Sequence, residues 1–146
     1  FFFQAEDGIR ECGRDWSSDV CSSDLNTSSA PAAIGPYSQG VIAGNLLFVS
    51  GQIPINPADG SLVSDSLESQ ANQVFENLRA IIQEAGTSFE HVLKLTIYLT
   101  DLENFAAVNK VMENYFNEPY PARATVEVSR LPKDVQVEID AIVELA

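Results

Sequence analysis

Through residues 135–141 apolar and polar side chains alternate without a break. Val135, Val137, Ile139 and Ala141 form one row, which Val143 continues, and Gln136, Glu138 and Asp140 form the other. Strand side chains point to opposite faces in turn, so a period of two specifies a half-buried strand and is incompatible with a helix. A second such run covers residues 122–128, with Ala124, Val126 and Val128 against Arg123, Thr125 and Glu127. Leu131-Pro132-Lys133-Asp134 lies between them. The two runs are expected to pair as a hairpin closed around residues 129–134, with Thr125 roughly opposite Glu138 and Arg123 near Asp140. One face would then carry a guanidinium beside carboxylates. A planar cation that grips a carboxylate in two places, next to an acid that moves a proton, is the minimum needed for chemistry on a small organic acid.

The preceding chain supplies the other layers. Gly35-Pro36-Tyr37-Ser38-Gln39-Gly40 is dense in turn formers. Val41 and Ile42 connect through Gly44-Asn45, as in a hairpin, to the apolar run Leu46-Leu47-Phe48-Val49-Ser50. Residues 66–85 have apolar residues at helical spacing, with Asp65 and Glu68 as a capping box and Gly86 as the stop. Residues 92–100 read as a strand with Leu93, Leu95, Ile97 and Leu99 on one face. Thr100-Asp101-Leu102-Glu103 caps a helix expected to run to about Phe116, and Pro119 and Pro121 end it.

The order β-β-α-β-α-β-β predicts an α+β domain, a single mixed sheet with two helices on one face and right-handed crossovers. The other face is expected to carry Thr96, Tyr98, Arg123, Thr125 and Glu138. That set is too mixed for a sealed core and too aromatic for bare solvent, so a sister subunit is expected to cover it in a closed oligomer.

Residues 1–25 do not share this pattern. The segment begins Phe1-Phe2-Phe3 and continues with few apolar positions and no period, and Trp16-Ser17-Ser18-Asp19-Val20-Cys21-Ser22-Ser23-Asp24-Leu25 resembles translated read-through of a sequencing adapter. It is read as a non-native tail that packs poorly, leaving residues 26–146 as the domain. It lacks the basic start and apolar stretch of a signal peptide. Cys12 and Cys21 both fall in it, so a thiol nucleophile, a Cys-ligated metal and a disulfide are excluded for the domain, and a cytoplasmic setting is expected. His91, the one histidine, is expected at the surface, and no metal site is predicted. No run approaches the ~18 apolar residues of a membrane-spanning helix. With 8 basic residues against 21 acidic ones, nucleic acid is an unfavoured partner.

Several spaced motifs resemble the RidA/YjgF family of reactive-intermediate deaminases. They are Ala30-Pro31-Ala32-Ala33-Ile34-Gly35-Pro36-Tyr37-Ser38-Gln39-Gly40, Phe48-Val49-Ser50-Gly51-Gln52-Ile53-Pro54, Phe105-Ala106-Ala107-Val108-Asn109, Tyr120-Pro121-Ala122-Arg123, Leu131-Pro132-Lys133-Asp134 and Val137-Glu138-Ile139-Asp140-Ala141. The resemblance covers residues 30–146. It implies a chorismate-mutase-like (YjgF-like) fold and a homotrimer with sites in the clefts between subunits. The activity it implies is hydrolysis of 2-iminobutanoate and 2-iminopropanoate to 2-oxo acids and ammonia, without a cofactor. By the same resemblance Arg123 binds the substrate carboxylate and Glu138 activates water, while Tyr37, Ser50, Gly51 and Asn109 line the cleft. Thr125 stands where several members have cysteine, which removes any thiol role there. Two other readings compete with the deaminase: an endoribonuclease or translation inhibitor, and a non-catalytic binder of small carboxylates or holdase.

Overall fold

The computed structural model describes residues 9–10 and 22–145. Its strands are β1 (Ile9–Arg10), β2 (Ser22–Leu25), β3 (Gly40–Ala43), β4 (Leu46–Gln52), β5 (Val92–Leu99), β6 (Ala122–Glu127) and β7 (Val137–Glu144). The helices are α1 (Leu67–Glu84) and α2 (Phe105–Met112). All strands join one sheet in the order β1-β2-β3-β4-β7-β5-β6. Pairing is antiparallel except between β5 and β6. The expected α+β architecture is therefore present, a single mixed sheet with both helices on one face.

The core lies between that face and the helices. Leu47, Val49, Leu95, Ile97, Leu99, Val137, Ile139 and Val143 meet Val74, Phe75, Leu78 and Ile81 of α1 and Val108 and Val111 of α2. The N-cap of α1 is Ser66, whose hydroxyl accepts from the Ser69 amide, one residue on from the expected Asp65 box. A serine at this position satisfies an otherwise unpaired donor of the first turn. Gly86 ends the helix with φ +80°, as a C′ glycine does. The second helix is shorter than expected. Asp101 accepts from the Glu103 amide, a single 3-10 turn (Leu102–Asn104) follows, and α2 stops at Met112, although Phe116 beyond it is still buried. None of the described helices is long and apolar enough to cross a membrane.

The expected strand pairing is corrected. The predicted hairpin of residues 122–128 with 135–143 does not form, because β5 lies between the two strands. Alternation identifies a strand and its faces but not its partner. Here β6 returns from α2 parallel to β5, and the link to β7 passes to the other edge of β5. That link is anchored by burial of Leu131 and Val135, and by amide bonds from Val128 to Leu99 and from Thr100 to Gln136 at the end of β5. Arg123 therefore lies opposite Leu95 and Thr125 opposite Ile97, while Glu138 lies opposite Tyr98 and Asp140 opposite Thr96. Directly opposed residues share a face. Arg123 and Thr125 thus belong to the helix-covered side, while Lys94, Thr96, Tyr98, Glu138 and Asp140 carry polar groups on the open side between β5 and β7. A bulge at Leu93 also turns that residue outward, to 45% exposure, and puts Val92 in the core instead.

The sheet also includes described residues before position 26. Ser22–Leu25 pairs antiparallel with β3 and Leu25 is buried, so the sheet extends at least four residues before position 26. Ile9–Arg10 pairs with β2 in turn. The rest of the expected tail, with Cys12 and Cys21, lies outside the described residues. Just beyond β2, the buried Gln39 side chain accepts from the Thr27 amide and donates to the carbonyls of Thr27, Ala30 and Pro31, tying this segment to the start of β3.

Candidate active site

Arg123 sits on β6, the last strand of the sheet, with its side chain directed at α2. Its Nη1 donates to Asn109 Oδ1 at 2.5 Å and lies 3.6 Å from Met112 Sδ, and its guanidinium carbon is 5.0 Å from the centre of the Phe105 ring. Phe105, Asn109 and Met112 are spaced by four and three residues, which stacks them on one stripe of a helix. All three supports are neutral, and among the described residues no carboxylate lies within ion-pair distance of Arg123. The guanidinium borders a cleft of about 400 Å³ lined by Asn109, Met112, Glu113, Tyr120, Pro121 and Arg123. Thr125, two residues further along β6 on the same face, has a buried hydroxyl oxygen with no partner among the described residues.

Glu138 is on the other side of the sheet. The pairing of β4 with β7 skips between Val49 and Gln52, a bulge that sets Ser50 and Gly51 against the single residue Asp140. A Cβ at Gly51 would stand 2.1 Å from Glu138 Oε1, so the carboxylate occupies space that only a glycine leaves. The half-buried Glu138 carboxyl is pushed above the usual range, first by burial and then by the charge of Asp140. Asp140 accepts a hydrogen bond of 2.9 Å from the Tyr98 hydroxyl, and that bond is the first cause raising the Tyr98 phenol. Ser50 Oγ donates to the Ser38 carbonyl at 2.6 Å, and the Ser50 amide donates to the Gln39 carbonyl. These bonds hold the loop bearing Tyr37 next to the bulge. Tyr37 itself is exposed, and its hydroxyl accepts weakly from the Ile34 amide.

The anticipated site residues thus fall into two groups. Arg123, Asn109 and Thr125 lie on the helix side at the β6 edge. Ser50, Gly51 and Glu138 lie on the open face beside the Tyr37 loop. The first group offers a positive fork for an anion, and the second a carboxyl that holds its proton unusually well. Phe105, Met112 and Tyr120 were not anticipated at the site, and Tyr98 was expected on the open face but without a role there. The helical stripe of Phe105, Asn109 and Met112 was visible in the spacing, but its contact with Arg123 depended on a strand pairing that alternation does not determine. His91 is exposed, and among the described residues no cluster of His, Cys, Asp and Glu has metal-site geometry.

Comparison with known proteins gives consistent matches. Residues 27–145 match the family profile described as Endoribonuclease L-PSP. A RutC family protein of Pyrococcus horikoshii is 53% identical over 116 residues, covering 80% of this chain and 92% of the relative. The Escherichia coli 2-iminobutanoate/2-iminopropanoate deaminase is 48% identical over 121 residues, covering 81% of this chain and 94% of the relative. The crystal structure of E. coli TdcF with bound serine superposes with a TM-score of 0.80 at 44% identity, covering 84% of this chain and 98% of that one.

Proposed function

The chain belongs to the YjgF/Rid family, described as Endoribonuclease L-PSP, and we propose that it is an imine deaminase hydrolysing 2-imino acids such as 2-iminobutanoate and 2-iminopropanoate. The observation that carries this reading is the state of Arg123. It is fixed by an amide oxygen and an aromatic ring at the mouth of a cleft, with its charge left for an anionic ligand. A guanidinium fork matches a carboxylate with two parallel charge-assisted bonds.

With the substrate carboxylate on Arg123, C2 of the imine is presented to water. The water oxygen bonds to C2 while the C=N π pair moves to nitrogen. Glu138 takes a proton from the attacking water and returns it to the amine nitrogen of the resulting carbinolamine. The hydroxyl proton then passes through Glu138 to the same nitrogen as C=O forms and the C2–N bond breaks, so that the nitrogen leaves as NH3. The sum is imine plus water to 2-oxo acid plus ammonia. Holding the reactants in place supplies up to ~7–11 kcal/mol in favourable cases, and a placed acid–base group about 10²–10⁴-fold. No step calls for a cofactor.

Because Arg123 and Glu138 occupy opposite faces, the reading requires a second copy. The cleft at the edge of one chain would be completed by the open face of the next, and a closed homotrimer does this three times over. Exposed Val41, Phe48 and Val126 on that face favour such burial.

The family description itself favours a second reading, RNA cleavage. The formal net charge of −13 opposes it, since phosphate binding depends on Lys and Arg. The deciding assay follows ammonia release from freshly generated 2-iminopropanoate. Activity that disappears in Arg123→Ala while the oligomer persists supports the deaminase. Inactivity of the unaltered protein toward a panel of imines, with RNA cleavage surviving rigorous repurification, replaces it with the ribonuclease.

A further inference from the structure

We propose that Asp140, held by the Tyr98 hydroxyl, is a positioning residue that sets the orientation and proton affinity of Glu138; in its catalytic consequence this rests on the deaminase reading. Three placements carry the inference. Glu138 and Asp140 are two apart on β7 and so project from the same face, facing Tyr98 and Thr96 of β5. The bulge in β4 brings Gly51 against the Glu138 carboxylate and leaves it little room on that side. Two residues along the same strand stands Asp140, whose carboxylate is fixed by a 2.9 Å hydrogen bond from a tyrosine on the neighbouring strand.

The groups facing Glu138 can be named strand by strand. β4 contributes Ser50 and Gly51, neither of which titrates in the working range. β5 contributes the Tyr98 phenol, and β7 itself contributes Asp140. Asp140 is therefore the one carboxylate among these neighbours. A fixed negative charge disfavours a second one nearby, so Glu138 accepts and keeps a proton more readily. A free Asp140 would swing toward water and weaken this influence, and the tyrosine prevents it. The arrangement suits a group that must receive a proton from water and hand it on. The wall of Gly51 limits where the carboxylate stands, while the Tyr98–Asp140 pair governs when it is charged.

The test uses the full chain as Asp140→Asn and as Tyr98→Phe, with two readouts. Carboxyl carbon resonances of labelled glutamate, with Glu138 assigned by its disappearance in Glu138→Gln, report its titration directly. The pH profile of kcat/KM on 2-iminopropanoate reports its use. Asp140→Asn is expected to move the Glu138 titration to lower pH, to carry the acid limb of the profile with it, and to lower kcat about tenfold. Tyr98→Phe keeps the charge but frees it, so kcat is expected to fall about threefold with KM within about twofold. A Glu138 titration that stays in place in Asp140→Asn overturns the inference, as does a shift that leaves the kcat/KM profile of an active enzyme unmoved. If the unaltered protein releases no ammonia from any imine, the deaminase reading fails by itself, and the resonance titration alone decides whether Asp140 governs Glu138.

Discussion

Arg123 and Glu138 stand on opposite faces of one sheet, on strands separated by β5. Each opposes a residue of that central strand, Leu95 on the buried side and Tyr98 on the open side. On the proposed reading, an anion gripped by Arg123 is expected to meet the Glu138 of another chain. Arg123→Ala and Glu138→Gln are each expected to be inactive alone. Co-expressed in equal amounts, they form mixed rings in which one junction of three joins an intact arginine to an intact glutamate. Random assembly of trimers then restores about a quarter of full activity. A mixture that stays inactive, although mass spectrometry shows mixed trimers, would mean that both groups act within one chain.

Gly51 determines where the Glu138 carboxylate rests. A methyl group there would lie 2.1 Å from Oε1 and 3.0 Å from the carboxyl carbon. A glutamate side chain is flexible and yields by swinging away, so the fold tolerates Gly51→Ala while the carboxyl moves. Stability is expected to change by less than about 1 kcal/mol. The kcat is expected to fall about 10²-fold, the scale of a 1 Å misplacement. Full turnover in this variant would remove Glu138 Oε1 from the mechanism.

The pH dependence of stability provides a check that needs no substrate. Burial and Asp140 raise the Glu138 carboxyl above the usual range in the folded chain. Between the ordinary carboxylate value, about 4, and that raised value the folded state binds more protons than the unfolded chain, so this group makes stability fall as pH rises. The penalty is complete above the raised value and absent below about pH 4. Glu138→Gln is thus expected to melt higher than the unaltered protein at pH 8, with the advantage shrinking to nothing as the pH is lowered. An equal difference in melting temperature at pH 4 and pH 8 would show that the folded environment does not disfavour the charged form.

Periodicity identified the elements well because each strand has one buried face. Leu95, Ile97, Val137 and Ile139 are all fully buried at alternate positions. It did not identify neighbours. β6 and β7 alternate in phase with any partner, and residues 129–134 between them read as a closing turn although Leu131 is buried. From that one topological choice followed the misplacement of Thr125 opposite Glu138 and of Arg123 near Asp140. Polar residues inside the domain were also illegible. Gln39, Gln70 and Asn77 are buried because they bond backbone groups distant in sequence: Gln70 Oε1 accepts from the Gln136 amide, and Asn77 Nδ2 donates to the carbonyls of Ile53 and Ile55. Pattern matching assigns such residues to the surface, since the partners that make burial affordable are known only once the chain has folded.

Thr125 carries the last prediction. Its hydroxyl oxygen is buried with no hydrogen-bond partner among the described residues, on the same face of β6 as Arg123 and two residues away. An unpaired buried hydroxyl costs about 1–3 kcal/mol, a loss that valine, of the same shape, does not incur. Thr125→Val is therefore expected to gain about 1 kcal/mol in urea unfolding. If the hydroxyl is left unpaired in order to meet a ligand held by Arg123, the same variant raises KM for 2-iminopropanoate about tenfold with little change in kcat. A substitution that stabilises the fold and weakens binding together marks a polar group retained for a ligand. One that stabilises without touching KM assigns position 125 to packing, with the carboxylate held by Arg123 alone.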